Sequence, residues 1–221
     1  MKKWIFSLAL VFSLSITDTS YQNMISHAHD VAPGMVSSED STYVPPSFVQ
    51  AAHLSVKGMQ IVGFDSNSRE KLYRSFEVLE EVVNSEEFKD RVINFKNSKG
   101  ERSFASNKGL SNEEIYQIFM EGRETLQQNT PGEMNFYLKL YNKSWSRVIG
   151  YTSGDTNVIH MNWKFFKNFA PHQVASNLAH EWTHKIGFDH RSAKEHDSAP
   201  YAIGYIIGEM AERIEKVRKL H

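Results

Sequence analysis

The sequence predicts an α+β fold, a domain in which a small mixed sheet packs against helices. Three observations predict it. The runs 69–83 and 174–186 carry apolar residues at helical spacing. The runs 56–64, 134–141 and 157–163 read as strands. Turn signals at Pro131-Gly132 and Ser153-Gly154-Asp155 punctuate the second half of the chain.

Taken in order, Val56 to Phe64 alternates weakly, as a half-buried strand does. In Arg69 to Val83 the residues Leu72, Phe76, Leu79 and Val83 share one helical face, and Ser85 to Phe95 continues helically. Ser111 opens a capped helix with Glu114 three residues on, and Ile115, Ile118 and Phe119 form its core face. Met134 to Tyr141 and Asn157 to Trp163 supply two further strands. Pro171 suits a first helical turn, which leads into the helix Val174 to Ile186. A last helix is expected over 201–220, and no internal repeat is present.

Met1-Lys2-Lys3 followed by the apolar run Trp4 to Ile16 reads as a signal peptide, because the run is too short to cross a hydrocarbon core of about 30 Å. The alternative is a short membrane anchor. Ser13, Ser15 and Thr17 offer cleavage sites, so 1–17 is assigned as the signal and the chain is expected to be secreted or periplasmic, exported from a bacterial cell. Residues 18–55, rich in Ser, Asp, Thr, Pro and His with Pro45-Pro46, read as a leader or a removable pro-segment in which Asp30 or a nearby histidine could approach a metal. Residues 56–221 are assigned to a single domain. The chain has no cysteine, so stability must come from the core and a bound metal.

The net charge is −1, with basic and acidic residues interspersed, which gives no general attraction to nucleic acid or to anionic lipid. The mildly basic stretch from Arg213 to Lys219 reads as a solvated helix face.

The chemistry is concentrated in His180-Glu181-Trp182-Thr183-His184-Lys185-Ile186-Gly187-Phe188-Asp189-His190. Residues four apart share a helix face about 6 Å along the axis, so His180 and His184 can aim at one ion. Glu181, beside the first histidine, can accept a proton from water without itself ligating. Gly187 can take a positive φ, end the helix and return the chain to deliver His190 as a third ligand. Three ligands leave a fourth position open for water, the arrangement of a catalytic zinc rather than a structural one. The expected cofactor is Zn2+, held by His180, His184 and His190, and the expected reaction is hydrolysis by attack of zinc-bound water with Glu181 as general base and then acid. The short form HExxH is weakly specific, whereas the extended form is much more so.

The segment from His180 to His190 resembles the zinc signature of the metzincin metallopeptidases, HExxHxxGxxH, with every fixed residue present. That resemblance implies a two-subdomain zinc protease, with a twisted sheet and backing helix above an active-site helix and a mostly helical C-terminal subdomain below. It implies a cleft that binds peptide or protein substrate as an extended strand. It further suggests that 157–163 is the antiparallel edge strand that pairs with substrate. On that strand His160 is either a cleft residue or an ordinary strand histidine. Metzincins place a methionine beneath the metal after the third histidine, but Ser198-Ala199-Pro200-Tyr201 stands in that region and the next methionine is Met210. Tyr201 is expected to pack beneath the histidines, to pack in the ordinary core, or to bind zinc or the oxyanion. Specificity is expected from the segment between His190 and about Ile206.

The function expected is that of a secreted zinc metalloendopeptidase, acting as a monomer. Two alternatives stand beside it: a zinc-holding binding or toxin-like module with little protease activity, and a zinc amidase acting on cell-wall peptide.

Overall fold

The computed structural model describes residues 53–126, 129–152, 156–192 and 194–220. The expected signal peptide at 1–17, most of the expected leader including Asp30, and the turn Ser153-Gly154-Asp155 lie outside them.

The chain enters through strand β1, Ser55–Val62, and turns into helix α1, Ser66–Val83. Asp65 caps that helix by accepting from the Ser68 amide at 2.8 Å, which is why α1 begins three residues before the apolar periodicity announces it. Leu72, Phe76, Leu79 and Val83 form the buried stripe expected of them. The helical run beyond is a separate helix, α2, Glu86–Ile93, because Ser85 caps it afresh through the Phe88 amide. Helix α3, Asn112–Glu121, carries the expected capping box: Glu114 accepts from the Ser111 amide while Ser111 Oγ accepts from the Glu114 amide.

Four strands form a mixed sheet in the order β1-β2-β4-β3, where β2 is Glu133–Tyr141, β3 Gly150–Thr152 and β4 Val158–Asn162. β2 runs parallel to both β1 and β4, and β3 is antiparallel to β4. This arrangement corrects the expected edge. The strand at 157–163 lies inside the sheet between β2 and β3, and the antiparallel edge is the three-residue β3 that precedes it. Trp163, expected in the strand, instead opens a one-turn helix α4, Trp163–Phe166, capped by Asn162.

Helix α5, Pro171–Lys185, has Pro171 in its first turn and Gln173 reaching back to the Ala170 amide at 2.9 Å. It is buried along nearly its whole length, packed between the sheet side and helix α6, Ala199–Arg218. Ser176 Oγ donates to the Gly204 carbonyl at 2.7 Å, and His172 meets Glu215 at 2.6 Å, so α6 runs back antiparallel along α5. Phe76 stacks on Phe136, and Phe136 meets Trp182 edge to face, which joins α1, β2 and α5 in one core. The result is an α+β domain with a small mixed sheet and, among the described residues, six helices. No helix among the described residues is long and apolar enough to cross a membrane.

Candidate metal centre

Three histidines converge at the C-terminal half of α5. One ligand nitrogen from each of His180, His184 and His190 lies within 4.8 Å of the others. His180 is fully buried, and His184 and His190 are partly exposed. The four-residue spacing on α5 aligns the first two. The third arrives because the helix ends in a Schellman turn: the Gly187 amide donates to the His184 carbonyl at 3.0 Å and the Phe188 amide to the Thr183 carbonyl at 2.9 Å. Gly187 has φ +96°, a conformation that L side chains rarely adopt, and a Cβ there would also meet Thr125 Cγ2 at 3.1 Å. Lys108 Nζ donates to the Gly187 carbonyl at 2.6 Å and holds the turn from outside.

The donor set fits a small transition-metal ion. Nitrogens bound at about 2.0 to 2.1 Å around a tetrahedral centre stand roughly 3.4 Å apart. His180 Nε2 and His184 Nε2 are 3.3 Å apart. The other ring nitrogen of His184 donates to the Phe188 carbonyl at 2.8 Å and has Asp189 Oδ1 at 3.3 Å, which fixes the ring and turns Nε2 inward. Burial works to lower the pKa of His184, but the Asp189 carboxylate, with Glu181 and the Phe188 carbonyl, outweighs it and the net shift is upward. Asp189 is shifted down, chiefly by its hydrogen bond to His184.

Glu181 is fully buried beside this cluster. Thr152 Oγ1, on the edge strand β3, donates to Glu181 Oε2 at 2.8 Å. β3 approaches α5 this closely because Gly150 has no side chain: a Cβ there would meet Asn177 Oδ1 at 3.0 Å and Glu181 Oε1 at 3.5 Å. No motif or periodicity in the sequence marks Thr152, although Val148-Ile149-Gly150-Tyr151-Thr152 is a β-rich run consistent with a strand.

His160 lies elsewhere. It pairs in register with Tyr151, and the two rings stack at 4.7 Å and 5°. Directly paired residues share a face of the sheet and neighbours along a strand alternate. Because Thr152 points to Glu181, Tyr151 and His160 occupy the opposite face. Burial, then the nearby Lys139 charge, lowers the His160 pKa. Tyr141, edge-on to Tyr151 on that same side, is pushed up to about 12 by burial and by the Tyr151 and Glu181 charges.

Tyr201 stands in the first turn of α6 and is fully buried. Its ring centroid is 4.5 Å from that of His180 and 4.6 Å from that of His190, so the aromatic face supports two of the three histidines. Its hydroxyl is buried with no hydrogen-bond partner among the described residues. Burial, reinforced by the Glu181 charge, drives its pKa well above the ordinary tyrosine value. Met210 lies in the buried core of α6, more than two helical turns beyond.

A groove of about 640 Å³ between β1 and α1, lined by Tyr73, Phe76 and Glu77, lies at the opposite edge of the sheet from β3 and has no part in the histidine cluster. Comparison with protein-family models, with curated proteins and with solved structures finds no match to this chain.

Proposed function

We propose that the chain is a zinc metalloendopeptidase of the metzincin type, with His180, His184 and His190 as ligands and Glu181 as general base. The observation that carries this reading is the convergence of three imidazoles beside a buried carboxylate that takes its hydrogen bond from an edge strand. A structural metal site has no use for such a carboxylate.

Zinc, when bound, supplies a Lewis acid that makes water acidic near neutral pH and polarises a carbonyl. Glu181 removes a proton from the attacking water, whose oxygen bonds to the scissile carbonyl carbon. The same carboxylate then delivers that proton to the amide nitrogen as the carbon–nitrogen bond breaks, releasing a carboxylate product and an amine. Thr152 holds Glu181 in place for both transfers. The outer edge of β3 offers backbone groups on which an extended peptide can add as a further strand. Tyr201 keeps the His180 and His190 rings in orientation from one side. The signal peptide at 1–17 puts this activity outside the cytoplasm.

Elemental analysis of the purified chain should find one zinc per molecule, and mixed peptides should be cut internally in a chelator-sensitive manner. His184→Ala should lose most of the zinc. Glu181→Ala should keep it while turnover falls by roughly 10² to 10⁴, the range for loss of a general base. A zinc-loaded chain that leaves every peptide intact would sink the peptidase reading.

A further inference from the structure

The loop between β2 and β3 runs into the edge strand of the sheet. Its residues lead straight into the edge strand: Gly150 lies against Glu181, and Arg147, three residues before it, is within about 11 Å of it along an extended chain. Asn142, Lys143, Ser144, Trp145 and Arg147 are all exposed, Trp145 at 79 %. The loop is nonetheless held. Asn162 Nδ2 donates to the carbonyls of Lys143 and Val148, Lys164 Nζ donates to that of Ser146, and Lys143 Nζ lies 4.3 Å from the Trp145 ring centroid.

Its charge is one-sided. Residues 134–170 contain Lys139, Lys143, Arg147, Lys164 and Lys167 against the single acid Asp155, in a chain whose net charge is −1. None of these five cations has a carboxylate partner among the described residues. On α2 and α6, by contrast, Arg91 pairs with Glu209, Arg213 with Glu87, Arg218 with Glu81 and Lys216 with Glu212. A basic rim with no carboxylate partner among the described residues, beside the outer edge of β3, attracts acidic ligands, and an exposed tryptophan adds contact area at small entropic loss.

We infer that this rim selects substrate: Lys143, Arg147 and Trp145 bind acidic side chains of an extended peptide lying along β3, so the preferred substrates carry Asp or Glu to one side of the scissile bond. The inference rests on the proposed peptidase reading. It favours a peptide over an anionic membrane because the loop is continuous with the strand edge that meets Glu181, and because one face of the Trp145 ring is already covered by Lys143.

The test uses the zinc-loaded Glu181→Ala chain, which binds without cutting, and two fluorescent peptides of equal length, one with an Asp-Glu cluster and one with Asn-Gln in its place. The acidic peptide should bind about tenfold more tightly at low salt, with the gap closing as salt rises. Lys143→Glu with Arg147→Glu should reduce the ratio of acidic to neutral affinity about tenfold, whereas Lys164→Gln, which loosens the loop, should reduce it less. Equal affinity for the two peptides, or a ratio indifferent to the charge reversal, overturns the charge preference and leaves the peptidase reading intact. Binding of neither peptide with zinc retained overturns both. Charge-reversal-sensitive binding to vesicles of anionic lipid, with no preference between the peptides, overturns the substrate assignment in favour of a membrane surface.

Discussion

Thr152 Oγ1 sits 2.8 Å from Glu181 Oε2, and this one hydrogen bond ties the edge strand of the sheet to the carboxylate beside the histidines. A hydroxyl donating to a carboxylate is a charge-assisted bond, stronger than a neutral one. It orients the group that the proposed mechanism asks to move a proton twice.

Thr152→Val should therefore keep the zinc and the KM for peptide within a few fold while kcat falls about tenfold, the scale of one lost bond to a charged group. Thr152→Ser, which keeps the hydroxyl, should recover most of kcat. A valine variant that turns over at the parent rate would show that Glu181 does not depend on this bond for its position.

The Gly187 turn makes a second prediction. Its φ of +96° and the 3.1 Å approach of Thr125 leave no relaxed place for a side chain. Gly187→Ala should lower stability by roughly 1 to 2 kcal/mol, the strain of a left-handed backbone at a non-glycine residue. The strain falls between the second and third histidines, so zinc affinity should drop while Gly132→Ala, also at positive φ but between α3 and β2, leaves zinc affinity unchanged. Equal zinc affinity in parent and Gly187→Ala would mean that His190 does not depend on this turn.

Acid should weaken the N-terminal half through its caps. Asp65 is exposed and Glu114 half-buried, and hydrogen bonds from Ser68 and Ser111 hold both carboxyl groups below their ordinary pKa values. A carboxylate with a depressed folded-state pKa stabilises the fold above its unfolded pKa, and that contribution disappears as pH falls through the folded value. Thermal midpoints should thus fall on acidification through the carboxylate range. Asp65→Asn keeps a capping oxygen without a proton to gain, so its midpoint should approach or pass the parent's at the acid end. A constant difference between the two across pH would rule out the cap as the source.

Much of this architecture is legible in the sequence because it is written locally. Ser111 and Glu114 announce their capping box three residues apart, and the spacing of His180, His184, Gly187 and His190 encodes both the helix face and the turn that follows. β3 is not legible in that way. Three residues show no periodicity and their pairing is decided by β4, so the resemblance places the edge on the longer run at 157–163 and nothing in the sequence singles out Thr152. His160 reads as either a cleft residue or an ordinary strand histidine for a related reason, since the face a strand residue takes depends on a register that sequence alone does not fix. Tyr201 could be counted to its position eleven residues after His190, but its contact with two imidazoles comes from the antiparallel return of α6 along α5.

That contact makes three substitutions at Tyr201 informative. Tyr201→Phe keeps the ring and Tyr201→Met keeps an apolar filler, so zinc affinity should stay within a few fold in both. Tyr201→Ala opens a cavity against His180 and His190 and should weaken zinc about 10-fold to 100-fold, the usual result of losing an outer contact to a ligand. A large loss of kcat in Tyr201→Phe alone, with zinc unchanged, would instead assign the buried hydroxyl to the oxyanion.

The last prediction concerns Lys185 and Glu124, a buried ion pair at the C-terminal end of α5. Lys185 Nζ lies 3.0 Å from Glu124 Oε2 and donates to the Asn135 carbonyl at 2.7 Å, and both side chains are about 1 % exposed. Burial pulls the Lys185 pKa down, and the Glu124 charge works against that pull. Thr125, next in the chain, donates its amide and hydroxyl to the Lys185 carbonyl, so the pair fastens the loop after α3 to the last turn of α5, one residue past His184. Removing one partner strands a charge in the interior, at about 3 to 5 kcal/mol, whereas replacing both with apolar residues of similar volume is often neutral. Lys185→Met alone should therefore unfold at markedly lower denaturant and hold zinc more weakly. Adding Glu124→Leu should restore most of the stability, because the uncompensated carboxylate is gone. Zinc affinity should recover with it if the pair acts by holding the helix end. Should the double variant regain stability but not zinc, the pair positions His184 through its charge, and its role belongs to the metal centre rather than to the fold.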